Sequence, residues 1–174
     1  MKLDKFDMLV LAAVSVLTVS AVFIGTSGAD NGPMPRAAAN RLKSEPPSPA
    51  LFAKSEELRT LVEAGQPGAA LEGLKGLASE NPAMSEPHAL MGEAYSRMLD
   101  YPSAMKEYRI ALMLDPDYVD KNSSKFIGKR IKAAMKEGME GSKAALARDK
   151  DDTQAKAALK DAYYLERMLA GGCE

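Results

Sequence analysis

The sequence predicts an all-α fold built from helix hairpins, and three observations support this prediction. Only 6% of the 174 residues are aromatic and Trp is absent, so strand-forming runs of aromatic and β-branched residues are missing beyond the N-terminus. Ala, Leu, Lys and Glu, which favour helices, are common instead. A pattern of small, aromatic and proline residues also recurs with a period of about 34 residues, which is typical of stacked hairpins.

The clearest copy of the pattern is Ser85–Tyr118, which predicts two antiparallel helices. Gly92 and Ala104 lack bulk where the two helices of a hairpin must cross closely. Tyr108 fills the space beside them. Pro116 marks the end of the second helix, because proline cannot continue it.

This copy resembles a tetratricopeptide repeat (TPR), a pair of antiparallel helices that stacks on its neighbours. The residues that match the motif are His88, Met91, Gly92, Tyr95, Tyr101, Ala104, Tyr108, Ala111 and Pro116. The resemblance implies a short superhelix of hairpins that binds protein segments and has no catalytic site. His88 occupies the bulky packing position of the motif, so we expect it to pack.

Weaker copies keep the same phase on both sides. The copy that begins at Leu51 keeps a small residue at Ala70, but it has Leu58 where a small residue is expected. The copy that begins at Val119 has a poor first helix, although Gly138 holds a small position. The phase therefore predicts one strong unit and two degenerate units, about the number that a stable array needs.

The sequence allows two interpretations of residues 123–148. Small and apolar residues recur there at helical spacing, as in one long helix. Gly138 and Gly141 would each cost about 1 kcal/mol inside a helix, so we expect a break at this point. A last helix, Thr153–Leu169, is predicted to cap the array.

The N-terminal segment predicts a membrane anchor. Met8–Ala29 carries no charge, and about 20 apolar residues cross a hydrocarbon core of roughly 30 Å. Lys2 and Lys5 precede it and the next basic residue is Arg36. This favours a cytoplasmic tail at residues 1–7, a single pass through the inner (cytoplasmic) membrane and a periplasmic C-terminal domain. A cleaved signal peptide is the alternative, although the apolar run is longer than is usual for one.

Residues 30–50 are predicted to be a linker, and residues 51–174 the helical domain. The linker is rich in Pro, Ala and Ser, a composition that cannot bury a core. Cys173 is the only cysteine, so it cannot form an internal disulfide, and its role stays open.

The sequence contains no motif for catalysis or for a cofactor. A single His and a single Cys cannot form a His/Cys metal cluster, and the glycines lack the spacing of phosphate-binding loops. A net charge of −1 gives no reason to expect nucleic acid. We therefore expect a protein that is not an enzyme, with no cofactor, metal or small-molecule substrate.

Two surfaces are candidates for binding. The TPR resemblance implies a concave groove lined by first helices, with these groove-facing residues: Ser55, Arg59, Val62, Glu86, Ala89, Glu93, Ser96, Arg97, Ser123, Ile127 and Arg130. Residues 119–148 carry eight Lys/Arg against three Asp/Glu, concentrated at Lys125, Lys129, Arg130, Lys132 and Lys136. This basic set is either a solvated helix face or a docking surface for an acidic protein segment or anionic lipid headgroups.

Taken with the anchor, these features predict a membrane-anchored scaffold that binds an extended peptide or a partner helix. By analogy with anchored TPR proteins, it would act in the assembly or maturation of an envelope complex. The alternative is a structural accessory subunit of a larger membrane complex.

Overall fold

The computed structural model describes residues 48–171, and this part of the chain forms six α-helices, one 3₁₀ helix and no strand. The all-α prediction is confirmed for these residues. The helices are α1 Pro49–Glu63, α2 Pro67–Glu80, α3 Ser85–Arg97, α4 Tyr101–Leu114, α5 Gly128–Arg148 and α6 Thr153–Gly171, with the 3₁₀ helix η1 at Pro116–Val119.

Several predicted features lie wholly or partly outside this range. The predicted anchor Met8–Ala29 and Cys173 are among the residues that are not described. Within residues 48–171, none of the helices has the length and apolar character needed to cross a membrane. Of the predicted linker, Pro49 and Ala50 are already part of α1, so the helical domain begins two residues earlier than predicted.

Side-chain caps and prolines explain where several helices begin. The Ser48 hydroxyl accepts a hydrogen bond from the Leu51 amide (3.3 Å), and Pro49 opens α1. The Asp100 carboxylate accepts one from the Ser103 amide (3.3 Å) at the start of α4. Such caps satisfy amides that have no partner within the helix. Proline is tolerated in the first turn because an amide proton at that position would have no acceptor within the helix.

The first four helices repeat most of their bounds at the period found in the sequence. The corresponding positions are Glu63 and Arg97, Pro67 and Tyr101, and Glu80 and Leu114. The turn inside each hairpin contains a residue in the left-handed backbone region, Gly65 (φ 78°) and Leu99 (φ 62°), and these two are separated by the same interval. The period is thus present in the backbone of α1–α4.

The first hairpin places its small residue on the second helix, whereas the second hairpin places it on the first helix. In the second hairpin, a Cβ on Gly92 of α3 would lie 2.6 Å from the Tyr108 ring of α4. In the first hairpin, Leu58 of α1 is the large residue, and a Cβ on Gly73 of α2 would lie 2.5 Å from its Cδ2. The unexpected Leu58 is therefore matched by a glycine on the opposite helix.

Two apolar clusters hold the helices together, and α3 contributes to both. The first joins α1, α2 and α3 around the fully buried Val62, Leu74 and Leu77. The second contains residues of α3, α4, α5 and α6 around Tyr108 and Leu165, which have 1% and 0% exposure. Consecutive helices pack against each other, and α1 also packs on α3 and α4 on α6. Each hairpin therefore buries its apolar face on the next one, as stacked repeats do.

The break expected near Gly138 and Gly141 is wrong, because α5 is one helix from Gly128 to Arg148. Gly138 is buried against α4, where an added Cβ would lie 2.5 Å from the Met105 methyl group. The close packing that this glycine permits offsets its helix cost of about 1 kcal/mol. The third hairpin is consequently formed by α5 and α6. The helix predicted at Thr153–Leu169 forms and extends two residues further, as the second helix of that hairpin.

Candidate partner-binding groove

A groove of about 1020 Å³ runs along α1, α3 and the segment that connects α4 to α5. Its apolar surface comes from Leu51, Phe52, Met84, Ala89, Leu90, Leu114 and Ile127. Its charged side chains are Arg59, Glu80, Glu86, Glu93, Asp115, Lys125 and Arg130. The groove thus combines apolar patches with charges of both signs.

An ion pair between α1 and α3 forms one side of the groove. The Arg59 guanidinium donates hydrogen bonds to the carboxylates of Glu86 and Glu56, the latter at 3.0 Å. Burial lowers the pKa of Arg59, but the two glutamates outweigh this effect and raise its pKa above the ordinary value. Arg59 is therefore a fixed positive charge that also ties the first hairpin to the second.

Glu93 forms the centre of a second charged cluster, and it is only 9% exposed. One of its carboxylate oxygens accepts a hydrogen bond from Arg97 (2.9 Å) and the other accepts one from Arg130 of α5 (2.5 Å). Both oxygens have a partner, whereas the Arg130 side chain is 54% exposed. Glu93 thus holds Arg130 in position, and the exposed guanidinium of Arg130 can donate further hydrogen bonds to a partner.

The far side of the groove is held by polar contacts near η1. Lys125 forms an ion pair with Asp115 (2.7 Å), and this hydrogen bond raises the pKa of Lys125. The hydroxyls of Tyr118 and Ser85 lie 3.4 Å apart, and burial raises the pKa of Tyr118. These contacts fix the connection between α4 and α5 against the start of α3.

The structure brings together six of the residues predicted to face a groove. They are Arg59, Glu86, Ala89, Glu93, Ile127 and Arg130. Three others lie outside the lining: Ser96 donates to the Gly92 carbonyl (2.8 Å), Arg97 supports Glu93, and Ser123 caps the turn after η1 by accepting from the Lys125 amide (3.1 Å).

The assignment of Ser55 and Val62 to the groove surface is corrected. Both are fully buried, so neither can contact a partner in this arrangement. The Ser55 hydroxyl is also without a hydrogen-bond partner among residues 48–171. The repeat motif was counted from the strong copy, in which α3 starts at Ser85. Ala89, one period after Ser55, is itself only 7% exposed, so this position lies mostly at the helix interface in both hairpins. Val62 corresponds to Ser96, and as an apolar residue it joins the core of the first hairpin instead.

The motif did not predict Phe52 and Met84 as groove residues. Phe52 is 56% exposed at the start of α1, and Met84 lies in the turn before α3. An exposed aromatic residue directly after a proline-rich segment is a signal that could have pointed to Phe52. Met84 has no such signal, because the motif describes helix faces and not the turns between hairpins.

The single histidine lies outside the groove. His88 Nδ1 lies 2.7 Å from the Glu107 carboxylate, and both side chains are 14% exposed between α3 and α4. Within the described residues, no cluster of three or more His, Cys, Asp or Glu could hold a metal ion.

The predicted basic set divides between two surfaces. Arg130 and Lys125 line the groove and are ion-paired, whereas Lys129, Lys132 and Lys136 are exposed along α5 outside it. A smaller depression of about 520 Å³ lies between α5 and α6, around Leu146, Leu159 and Tyr163.

Comparisons of the chain with protein-family models, curated proteins and solved structures find no match. The functional interpretation therefore depends on the residues and on the geometry of the groove.

Proposed function

We propose that this chain is a membrane-anchored scaffold that binds a segment of another protein in the groove. The observation that carries the proposal is the combination of exposed apolar side chains with arginines that are already held by carboxylates. Binding in such a groove requires little reordering of charged side chains, which lowers the entropic cost of association.

The size and chemistry of the groove favour a polypeptide ligand. Its volume of about 1020 Å³ lies just above the roughly 300–1,000 Å³ range of small-molecule sites. Phe52 and Met84 offer apolar contacts of the kind that dominate protein interfaces. Arg59 of α1 and Arg130 of α5 can donate to carbonyl groups or carboxylates of a bound segment.

The proposed setting follows from the sequence. We take the hairpins as TPR units, because the bounds of α1–α4 recur at the period of the sequence pattern and because Gly92, Ala104 and Tyr108 occupy the matching motif positions. Met8–Ala29 anchors the chain in the inner membrane, and the hairpins face the periplasm. The partner is then a component of an envelope complex whose assembly or maturation the chain supports.

The experiment is site-specific photo-crosslinking in the native host, with a photoreactive residue at Met84 in the groove. The matched control carries it at Lys75, an exposed residue of α2 outside the groove. We expect a defined protein adduct from Met84 that is absent from Lys75 and is reduced by Arg130→Ala. Identical adducts from both positions, or none from Met84 in a chain that accumulates normally, would contradict the proposal.

A further inference from the structure

Four lysines form a ridge along the exposed face of α5: Lys129, Lys132, Lys136 and Lys143. Their spacings of three, four and seven residues place them within an arc of about 60° on a helix with 3.6 residues per turn. The ridge extends over roughly 21 Å at 1.5 Å per residue. The opposite face of α5, with Ile131 and Gly138, is buried against the other helices.

The lysine ridge differs from the groove in having no internal partners. None of its four ammonium groups forms an ion pair within residues 48–171, whereas Arg59, Lys125 and Arg130 all do. Glu140 is the one acidic residue on the same strip of helix, and it is also exposed. The ridge therefore presents a net positive charge that the described part of the chain does not neutralise.

The surroundings of the ridge offer no means of recognising a protein sequence. Among the described residues, the exposed large apolar side chains lie outside α5, and neither cavity described above includes a ridge lysine. The exposed neighbours on α5 include Ala133, Glu137, Glu140 and Ala144, and none of them is a large apolar residue. Protein interfaces need buried aromatic or apolar anchors, whereas an anionic lipid surface needs only accessible positive charge.

We propose that the lysine ridge docks α5 on anionic lipid headgroups. The inference goes beyond the proposed groove function and shares with it only the membrane anchor, which would keep the ridge at high local concentration near the bilayer. Lysine suits this role, because its ammonium group acts as a compact point charge on a flexible stem. Arg130 lies about 100° around α5 from Lys129, so a docked helix leaves the groove open to the aqueous phase beside it.

The test measures the distance of α5 from the bilayer in the full chain. A spin label is attached at Ala133→Cys beside the ridge, in a Cys173→Ser background, and a control label at Ala69→Cys on α2. The untagged chain is reconstituted into vesicles of phosphatidylcholine alone or mixed with phosphatidylglycerol, with a trace of nickel-chelating lipid that speeds the relaxation of nearby labels. We expect faster relaxation at Ala133→Cys only with phosphatidylglycerol, reversed by high salt, and no change at Ala69→Cys.

Charge variants connect this signal to the ridge. Each Lys→Gln change should lower the ratio of docked to free domain about fivefold, and Glu140→Gln should raise it by a similar factor. The second variant adds docking, so a folding defect cannot imitate its effect. The proposal would be overturned if the Ala133→Cys label relaxes equally with and without phosphatidylglycerol. It would also be overturned if neither the Lys→Gln changes nor Glu140→Gln alter the docking.

Two further readouts separate the competing explanations. Slowed label motion on addition of soluble polyglutamate, without a response to phosphatidylglycerol, would overturn the proposal in favour of an acidic protein segment. The Met84 crosslink, measured in a chain in which all four ridge lysines are changed to Gln, should persist, so failure of the lipid contact and failure of the groove function can be distinguished.

Discussion

Leu99 is the clearest site at which a substitution should stabilise the protein. Its φ of 62° lies in the left-handed region, which costs a residue with a Cβ roughly 1–2 kcal/mol. Its side chain is 70% exposed, so removing it loses little packing. Glycine adopts this backbone freely but loses more conformational entropy on folding, a cost of about 0.5–1 kcal/mol. Leu99→Gly should therefore raise the free energy of unfolding by about 0.5–1 kcal/mol.

Two variants serve as controls for this prediction, and all are compared by urea denaturation of the full chain monitored by circular dichroism. Leu99→Ala removes the same side chain but keeps the strain, so it should give no gain. Gly65 occupies the corresponding turn of the first hairpin with φ 78°, so Gly65→Ala should lower the free energy of unfolding by about 1 kcal/mol. A Leu99→Gly variant no more stable than Leu99→Ala would refute the argument that this turn is strained.

Four other changes have expected outcomes. Gly92→Ala should cost about 1–3 kcal/mol of unfolding free energy in urea denaturation, because the added Cβ meets the Tyr108 ring, and adding Tyr108→Leu should recover part of the loss. Gly76→Ala should instead gain about 0.5–1 kcal/mol, since a Cβ there meets nothing within 4 Å. Burial raises the pKa of Tyr108 to about 12 from 10.0, so as the pH rises the unfolded chain loses the Tyr108 phenol proton before the folded chain does. The free energy of unfolding should therefore fall between pH 10.0 and about pH 12, and Tyr108→Phe should show less of this fall in denaturation curves recorded over a pH series. Arg130→Ala should reduce the Met84 crosslink and lower the free energy of unfolding by about 1–3 kcal/mol, because it leaves one oxygen of the buried Glu93 carboxylate without its partner.

The hairpins could be predicted from the sequence because their constraints are local. A glycine must face a large residue where two helices cross, a proline ends a helix, and both repeat at a fixed period, so Gly92, Tyr108 and Pro116 were sufficient to locate α3 and α4. The same approach failed at Gly138. Its helix cost is a local quantity, whereas the Met105 methyl group that makes a small residue necessary comes from another helix.

The groove could be predicted in part for the same reason. Positions on α3 follow from the strong copy of the motif, so Glu86, Ala89 and Glu93 were assigned to the surface that they line. Ser55 was wrongly assigned to the groove, because its position is largely buried in both hairpins: Ser55 has 0% exposure and Ala89, one period later, has 7%. The ion pairs that hold Arg59 and Arg130 join residues 27 and 37 positions apart, and such long-range contacts depend on how the hairpins stack.

The most direct test of the groove function is the affinity of the crosslinked partner segment, made as a synthetic peptide and measured by isothermal titration calorimetry. Phe52 in the groove and Met113 outside it are similarly exposed apolar residues, at 56% and 53%, and provide a matched pair. We predict that Phe52→Ala weakens binding about tenfold or more, as expected for an interface anchor worth more than about 1 kcal/mol. We predict that Met113→Ala leaves the affinity unchanged. Equal effects of the two substitutions, or no effect of Phe52→Ala, would contradict the proposal that the partner binds in this groove.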